Sequence, residues 1–269
     1  MPLLDRFTLD QTRFDSAEPA GMAAVVHRFD RPGRYAVALS ADGKRVVSTS
    51  TVYVDPPPSH ERARQADAGG EGVEAQERRP TLEPPRPGAD PSMAVHLAVD
   101  VSRPEDDRPD GPKVAGLLVG GYASFTAPTG GGHHVRIHRV GPSGQEELEF
   151  DISRLRGADT FACNPLRPGA YAMRDLGTGH EGRLQVSYPV VGRSPYQPGE
   201  PAQVTCGGGG FEPAQVVVGP AQGVVFTITG ESRIVVELVE PDDGPAAADR
   251  RPVARRTRRT LRGHQEEAS

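Results

Sequence analysis

The sequence predicts an all-β chain, made of antiparallel β-sandwich modules joined by a Pro/Gly-rich linker. Three observations predict it. Punctuation is dense: 32 Gly and 27 Pro among 269 residues, with only 36% hydrophobic residues and no Trp, leave no room for long helices and suit a thin core. Apolar residues alternate with polar ones in short runs closed by Gly, Pro or Asp. A corner motif also occurs twice, as Arg31-Pro32-Gly33-Arg34-Tyr35-Ala36-Val37 and Arg167-Pro168-Gly169-Ala170-Tyr171-Ala172-Met173, each followed by an alternating run, a polar turn and a returning run.

The elements follow in order. A first module, residues 1–55, has strand candidates at Arg6–Leu9, Ala23–Phe29, Tyr35–Leu39 and Arg45–Val54, rich in Val, Phe, Tyr and Thr. Residues 56–92 change character: Pro56-Pro57-Pro58, Gly69-Gly70 and Pro84-Pro85 stand among charges with scarcely an apolar side chain. Such a stretch buries too little surface to offset the entropy of ordering, so it reads as a disordered linker. A second module, 93–191, and a smaller β module packed on it, 192–241, meet at Val191-Gly192-Arg193-Ser194-Pro195. Their strand candidates are Ala94–Val101, Val114–Phe125, Val135–Val140, Glu147–Ile152, Tyr171–Arg174, Arg183–Tyr188, Ala202–Cys206, Gln215–Val218, Val224–Thr229 and Ser232–Val239. Residues 242–269 read as a disordered, Arg-rich tail.

Charge and hydropathy exclude several classes. A net charge of −5 argues against a nucleic-acid partner for the body of the chain. No run approaches the roughly 18 to 20 apolar residues of a membrane helix. Met1-Pro2-Leu3-Leu4-Asp5-Arg6-Phe7 has no basic stretch leading into an apolar one, so no secretory signal is visible and the chain as written reads as cytoplasmic.

The segment His27-Arg28-Phe29-Asp30-Arg31-Pro32-Gly33-Arg34-Tyr35-Ala36-Val37-Ala38-Leu39, continuing to Thr51-Val52-Tyr53-Val54, resembles the second half of PKD-type Ig-like domains. Those domains carry a His-x-Tyr/Phe, then Pro-Gly-x-Tyr, then a hairpin ending in Val-x-Val. The Asp- and Gly-rich stretch that precedes the His in that family is absent, which leaves the first module short. The resemblance implies a non-catalytic Ig-like sandwich, used as a spacer or interaction module at cell surfaces, with a protein or glycan partner held by strand edges and loops. A second pattern, from Phe211-Glu212-Pro213 to Val224-Val225-Phe226, is similar to the opening strands of a cupredoxin. The copper ligands are missing: no Cys follows Cys206, and His264 is the last His. No cofactor is expected.

Candidate chemistry is sparse. In Gly132-His133-His134-Val135-Arg136-Ile137-His138, alternation puts Val135 and Ile137 on one strand face and His134, Arg136 and His138 on the other. Residues four apart on a strand are about 13 Å apart. His134 and His138 therefore cannot share one ion unaided, so no metal is expected, and a metal-binding β protein using His133, His134 and His138 stands only as the third reading of the function. The acidic insert Pro104–Gly111 lacks the spaced ligands of a calcium loop. No nucleophile-elbow or phosphate-cradling motif is present, so no catalytic residue is assigned. Cys163 and Cys206 are the only cysteines. They are either separate buried thiols or a disulfide, and the PKD resemblance favours the bridge. Between Arg250 and Arg262 stand seven arginines and no acid. Arg255, Arg256, Arg258 and Arg259 form the candidate site for a polyanion, a nucleic acid or an anionic surface, through phosphate contacts.

Overall fold

The structure is a computed structural model that describes residues 11–41, 43–56, 94–102, 114–157, 159–188 and 195–242. These residues are all-β, with no helix among them, and they form two sheets. The strands are β1 (Arg13–Asp15), β2 (Ala23–Arg28), β3 (Gly33–Ser40), β4 (Val46–Asp55), β5 (Ala94–Asp100), β6 (Val114–Thr126), β7 (His134–Val140) and β8 (Glu146–Asp151). They continue as β9 (Thr160–Cys163), β10 (Gly169–Asp175), β11 (Glu181–Val186), β12 (Ala202–Gly207), β13 (Gly210–Glu212), β14 (Gln215–Val218), β15 (Val224–Ile228) and β16 (Ile234–Pro241). One sheet has the order β1-β16-β10-β11-β14; the other runs β13-β12-β15-β9-β2-β6-β4-β3-β7-β8, with β5 added on β6. This arrangement is compatible with a β-sandwich.

The long runs form where alternation predicts them. In β3, Tyr35, Val37 and Leu39 are buried; in β10, Tyr171 and Met173 are; in β7, Val135 and Ile137 are. Burying each such side chain contributes about 1.5–3 kcal/mol. Three strands carry no signal in the sequence: β1, β9 and β13, all of four residues or fewer. Runs that short seldom show usable alternation, although β14, also four residues long, is legible through its three consecutive valines. The candidate strand Arg6–Leu9, the linker, the insert Pro104–Gly111 and the Arg-rich tail lie outside the described residues, apart from Pro56 at the linker's start and Asp242 at the tail's.

The doubled corner motif is the visible part of a larger repetition. Tyr35 pairs laterally with Val52 on β4 and Arg139 on β7; Tyr171 pairs with Leu184 on β11 and Leu238 on β16. The parallel ladder β4–β6 (Val52↔Ala115) has its counterpart in β11–β14 (Leu184↔Val216). The ladder β2–β6 (Val25↔Phe125) matches β9–β15 (Phe161↔Phe226), and the parallel β5–β6 (Val99↔Phe125) matches β12–β15 (Val204↔Phe226). Strand β6 does in one piece what β14 and β15 do in two. Its first residues serve β4, and after Gly120-Gly121 it serves β2.

The first strand of each half is exchanged. Strand β8, which leads into β9, pairs with β7 of the other half (Ile137↔Phe150); β1, which leads into β2, pairs with β16 (Val236↔Phe14). Equivalent residues keep one spacing: Phe14 and Phe150, Asp15 and Asp151, Arg31 and Arg167, and Tyr35 and Tyr171 are each 136 residues apart. At the seam β2 pairs antiparallel with β9, and one of its four pairs, Val25↔Phe161, has that same spacing. Each seam strand therefore meets its own counterpart about a local pseudo-twofold axis. One hydrophobic cluster runs through both halves, from Phe14 and Tyr35 to Tyr171 and Phe226.

The two corners are built alike. Tyr35 donates its hydroxyl to the Arg31 carbonyl at 2.7 Å, and Tyr171 donates to the Arg167 carbonyl at 2.8 Å. Gly33 and Gly169 open the strands at φ 153° and 145°, a region that side-chain-bearing residues avoid. A Cβ on Gly169 would also come within 2.7 Å of Leu238 Cδ1.

Candidate functional site

A cavity lies beside the first corner. It measures about 600 Å³ and is lined by Gly33, Arg34, Tyr53, Arg139, the turn after β7 and Glu147. Local structure places each side chain. Arg34 is the second residue of β3 and lies laterally between Tyr53 on β4 and Val140 on β7. The turn is closed by hydrogen bonds from Gly141 N to Gln145 O at 2.8 Å and from Gly144 N to Gly141 O at 2.9 Å. Arg139 donates one Nη2 hydrogen bond to the Pro32 carbonyl at 3.2 Å, which pins the guanidinium across the corner. Nearby, Arg31 donates to Glu149, and that carboxylate raises the Arg31 pKa from its ordinary value.

The second half shows which of these residues the fold itself requires. At the positions of Arg34, Tyr53 and Arg139 it carries Ala170, Gln185 and Leu238. The same corner thus closes without either guanidinium and without the phenol. Arg139 lies against the Gly33 position, as Leu238 lies against Gly169. Two cations and an aromatic ring stand at the first corner, where the second has Ala170, Leu238 and Gln185.

Other polar groups have structural partners. Asp15 accepts Arg233 Nε at 3.2 Å, Arg233 Nη2 at 2.9 Å and the Ala17 N–H at 3.0 Å, which fastens β1 to its adopted sheet. Burial works to raise the Asp15 pKa, but these bonds outweigh it and the carboxyl lies below its usual range. Its counterpart Asp151 accepts Arg136 Nε at 2.9 Å and the Ser153 N–H at 2.9 Å, with His134 Nε2 3.1 Å away. Here too burial is outweighed, by His134, Ser153 and Arg136, and the pKa is lowered. One buried pair has no sequence signal, because its members stand far apart in the chain: His27 Nδ1 and Asp159 Oδ1 meet at 2.7 Å across the seam. His27 Nε2 has no hydrogen-bond partner among the described residues, and its ring lies 4.9 Å from both Phe29 and Phe150.

The candidates that the sequence singles out have different fates. His134, Arg136 and His138 share the half-buried face of β7, opposite buried Val135 and Ile137. His133 Nδ1 lies 2.9 Å from the Val101 carbonyl, and His134 faces Asp151. Among the described residues no group of three or more His, Cys, Asp or Glu is placed to hold a metal ion. The disulfide favoured by the resemblance does not form: Cys163 and Cys206 are both free and buried. Strand β15 lies between their strands, with Cys163 opposite Val224 and Cys206 opposite Ile228. Two strand spacings and a four-residue offset separate them by about 16 Å, far beyond disulfide reach. Burial pushes the Cys163 thiol up, and it raises Cys206 to about 11. Both sulfurs are poor nucleophiles at neutral pH. Arg255, Arg256, Arg258 and Arg259 lie outside the described residues.

Comparison with protein-family models finds no match, and neither do comparisons with curated proteins and with solved structures. Among the described residues no helix is long and apolar enough to cross a membrane.

Proposed function

We propose that this chain is a non-catalytic interaction protein of Ig-like sandwich halves that holds a protein or glycan partner at the Arg34–Tyr53–Arg139 cavity. The observation that carries the reading is the difference between the two corners. A cavity of about 600 Å³ is lined by two arginines and a tyrosine at positions where the second half does without them. Concave sites of this size with a few convergent polar groups are the usual form of a ligand site. The Ig-like reading draws on the buried tyrosines that bond back to a carbonyl four residues upstream, a device shared with the tyrosine corner of that fold. The likeness to PKD-type domains stands on the residues from His27 to Val54 and gives the cell-surface setting.

The test is retention of the full chain on glycan and peptide arrays, repeated with Arg34→Ala and Arg139→Leu. Signals that fall for both variants are expected; signals that survive both place the partner elsewhere. A second reading, polyanion binding by Arg255, Arg256, Arg258 and Arg259, is favoured by the run of seven arginines without an acid. It predicts salt-sensitive binding to nucleic acid that is lost on removing residues 250–269, and undiminished binding after that truncation removes it.

A further inference from the structure

We infer that the Arg34–Tyr53–Arg139 cavity recognises an acidic sugar, a glycan residue that carries a carboxylate on its ring. The inference rests on the reading of this cavity as the binding site and names its ligand class. A carboxylate is the natural partner of a guanidinium, whose planar fork of N–H donors matches its two oxygens. Arg34 is exposed, and Arg139 spends one donor on the Pro32 carbonyl, so most of its five N–H groups remain to meet a ligand. The Pro32 bond restrains Arg139, which lowers the entropy cost of engaging a ligand.

The rest of the lining speaks for a hydroxylated ligand rather than a bare anion. Glu147 accepts hydrogen bonds and the Gln145 amide nitrogen donates, while its oxygen already accepts the Ser143 hydroxyl; together they offer sugar hydroxyls both an acceptor and a donor. Tyr53 adds an amphipathic ring, able to cover the apolar face of a sugar while its phenol stays polar. A polyphosphate or a strongly acidic peptide would bring several negative charges against Glu147, which stands in the same lining as the two arginines. One carboxylate among many hydroxyls meets two cations and one anion with little repulsion. Strand addition by a peptide is also disfavoured here, because β3 is already paired on both sides, to β4 and to β7.

The second half supplies the controls. Arg34→Ala, Tyr53→Gln and Arg139→Leu each install the residue that the equivalent corner already folds with. Thermal unfolding of each variant checks that it does. The experiment is calorimetric titration of the full chain with trisaccharides of galacturonate, glucuronate, mannuronate and guluronate, each beside its methyl ester, which removes the charge and keeps the ring. The expected result is that at least one uronate binds. Its affinity should fall about tenfold or more on esterification and by a similar factor in Arg34→Ala and in Arg139→Leu, as the loss of one charge-assisted bond implies. Esters that bind as tightly as acids, with binding still lost in the variants, overturn the carboxylate and leave the cavity as the site. A protein ligand retained on an array and lost in the variants, with no uronate bound, overturns the sugar. Uronate binding unchanged in all three variants overturns both this inference and the cavity itself.

Discussion

Tyr35→Phe and Tyr171→Phe form a matched pair. Each removes one hydroxyl and nothing else: both rings are fully buried and stay where they are, so no cavity opens. What is lost is a hydrogen bond of 2.7 Å to the Arg31 carbonyl or of 2.8 Å to the Arg167 carbonyl. A neutral bond of this kind is worth about 1 kcal/mol net, and a carbonyl left dry adds to that. The expected cost is therefore about 1–2 kcal/mol for each variant, and equal for the two because the corners are equivalent. The tyrosines share no partner, so the double variant should lose the sum to within about 0.5 kcal/mol. Urea denaturation followed by circular dichroism measures it, and in a thermal scan each kcal/mol appears as roughly 2–4 °C in Tm. A cost above about 3 kcal/mol in one variant with none in the other would refute the equivalence of the corners. The same bond sets an alkaline limit. Burial raises the Tyr171 hydroxyl to about 12 and raises Tyr35 as well. A raised folded pKa contributes stability that is complete below the unfolded value near 10 and is lost as pH climbs through the folded one. Wild-type stability should fall above about pH 10, and the double Phe variant should fall less.

The exchanged strands carry an acid-side prediction. Asp15 and Asp151 have lowered pKa values, so their contribution is present above the unfolded value near 4 and disappears as pH falls through the folded values. Asp15→Asn should cost about 2–3 kcal/mol at pH 7, by breaking the two bonds to Arg233, and it should flatten the loss of stability below pH 4; an unchanged acid profile counts against the pairing. At the seam, Phe161→Ala should cost about 3–5 kcal/mol and lower the stability of both halves together, since its ring is fully buried within a cluster that spans them. Two separate unfolding transitions in that variant would show that the seam does not couple them. Finally, both thiols should react with a disulfide reagent only after denaturation, and reductant should leave Tm unchanged; a reductant-sensitive Tm would contradict the separation of Cys163 from Cys206.

The strands without a signal show where local pattern ends. Strands β3 and β10 are legible because Tyr35, Val37 and Leu39, or Tyr171 and Met173, alternate with outward residues behind a Pro-Gly corner. Strand β1 is three residues long, and its one aromatic residue, Phe14, offers no period to read. The repetition is visible at Arg-Pro-Gly-x-Tyr and little beyond it, because other equivalent pairs, such as Val25 with Phe161 or Arg139 with Leu238, share a place in a ladder but not a side chain. The cavity is hidden for a related reason. Arg34, Tyr53 and Arg139 are ordinary surface residues until β3 draws its two neighbours beside it.

Sequence alone determined that the described residues are all-β, and it determined most of the strands and the two corners, since alternation and turn chemistry act between residues close in the chain. The antiparallel pairing it suggested is replaced in part by the parallel ladders β4–β6, β5–β6, β11–β14 and β12–β15. Tertiary structure alone decided that β1 and β8 are exchanged between halves, that β2 meets its counterpart β9, and that β15 holds the two cysteines apart. Any strand with an alternating face can satisfy its backbone against many partners. Which partner it takes depends on which apolar faces bury one another, and that is settled only when the whole core closes around Phe14, Tyr35, Phe161 and Tyr171.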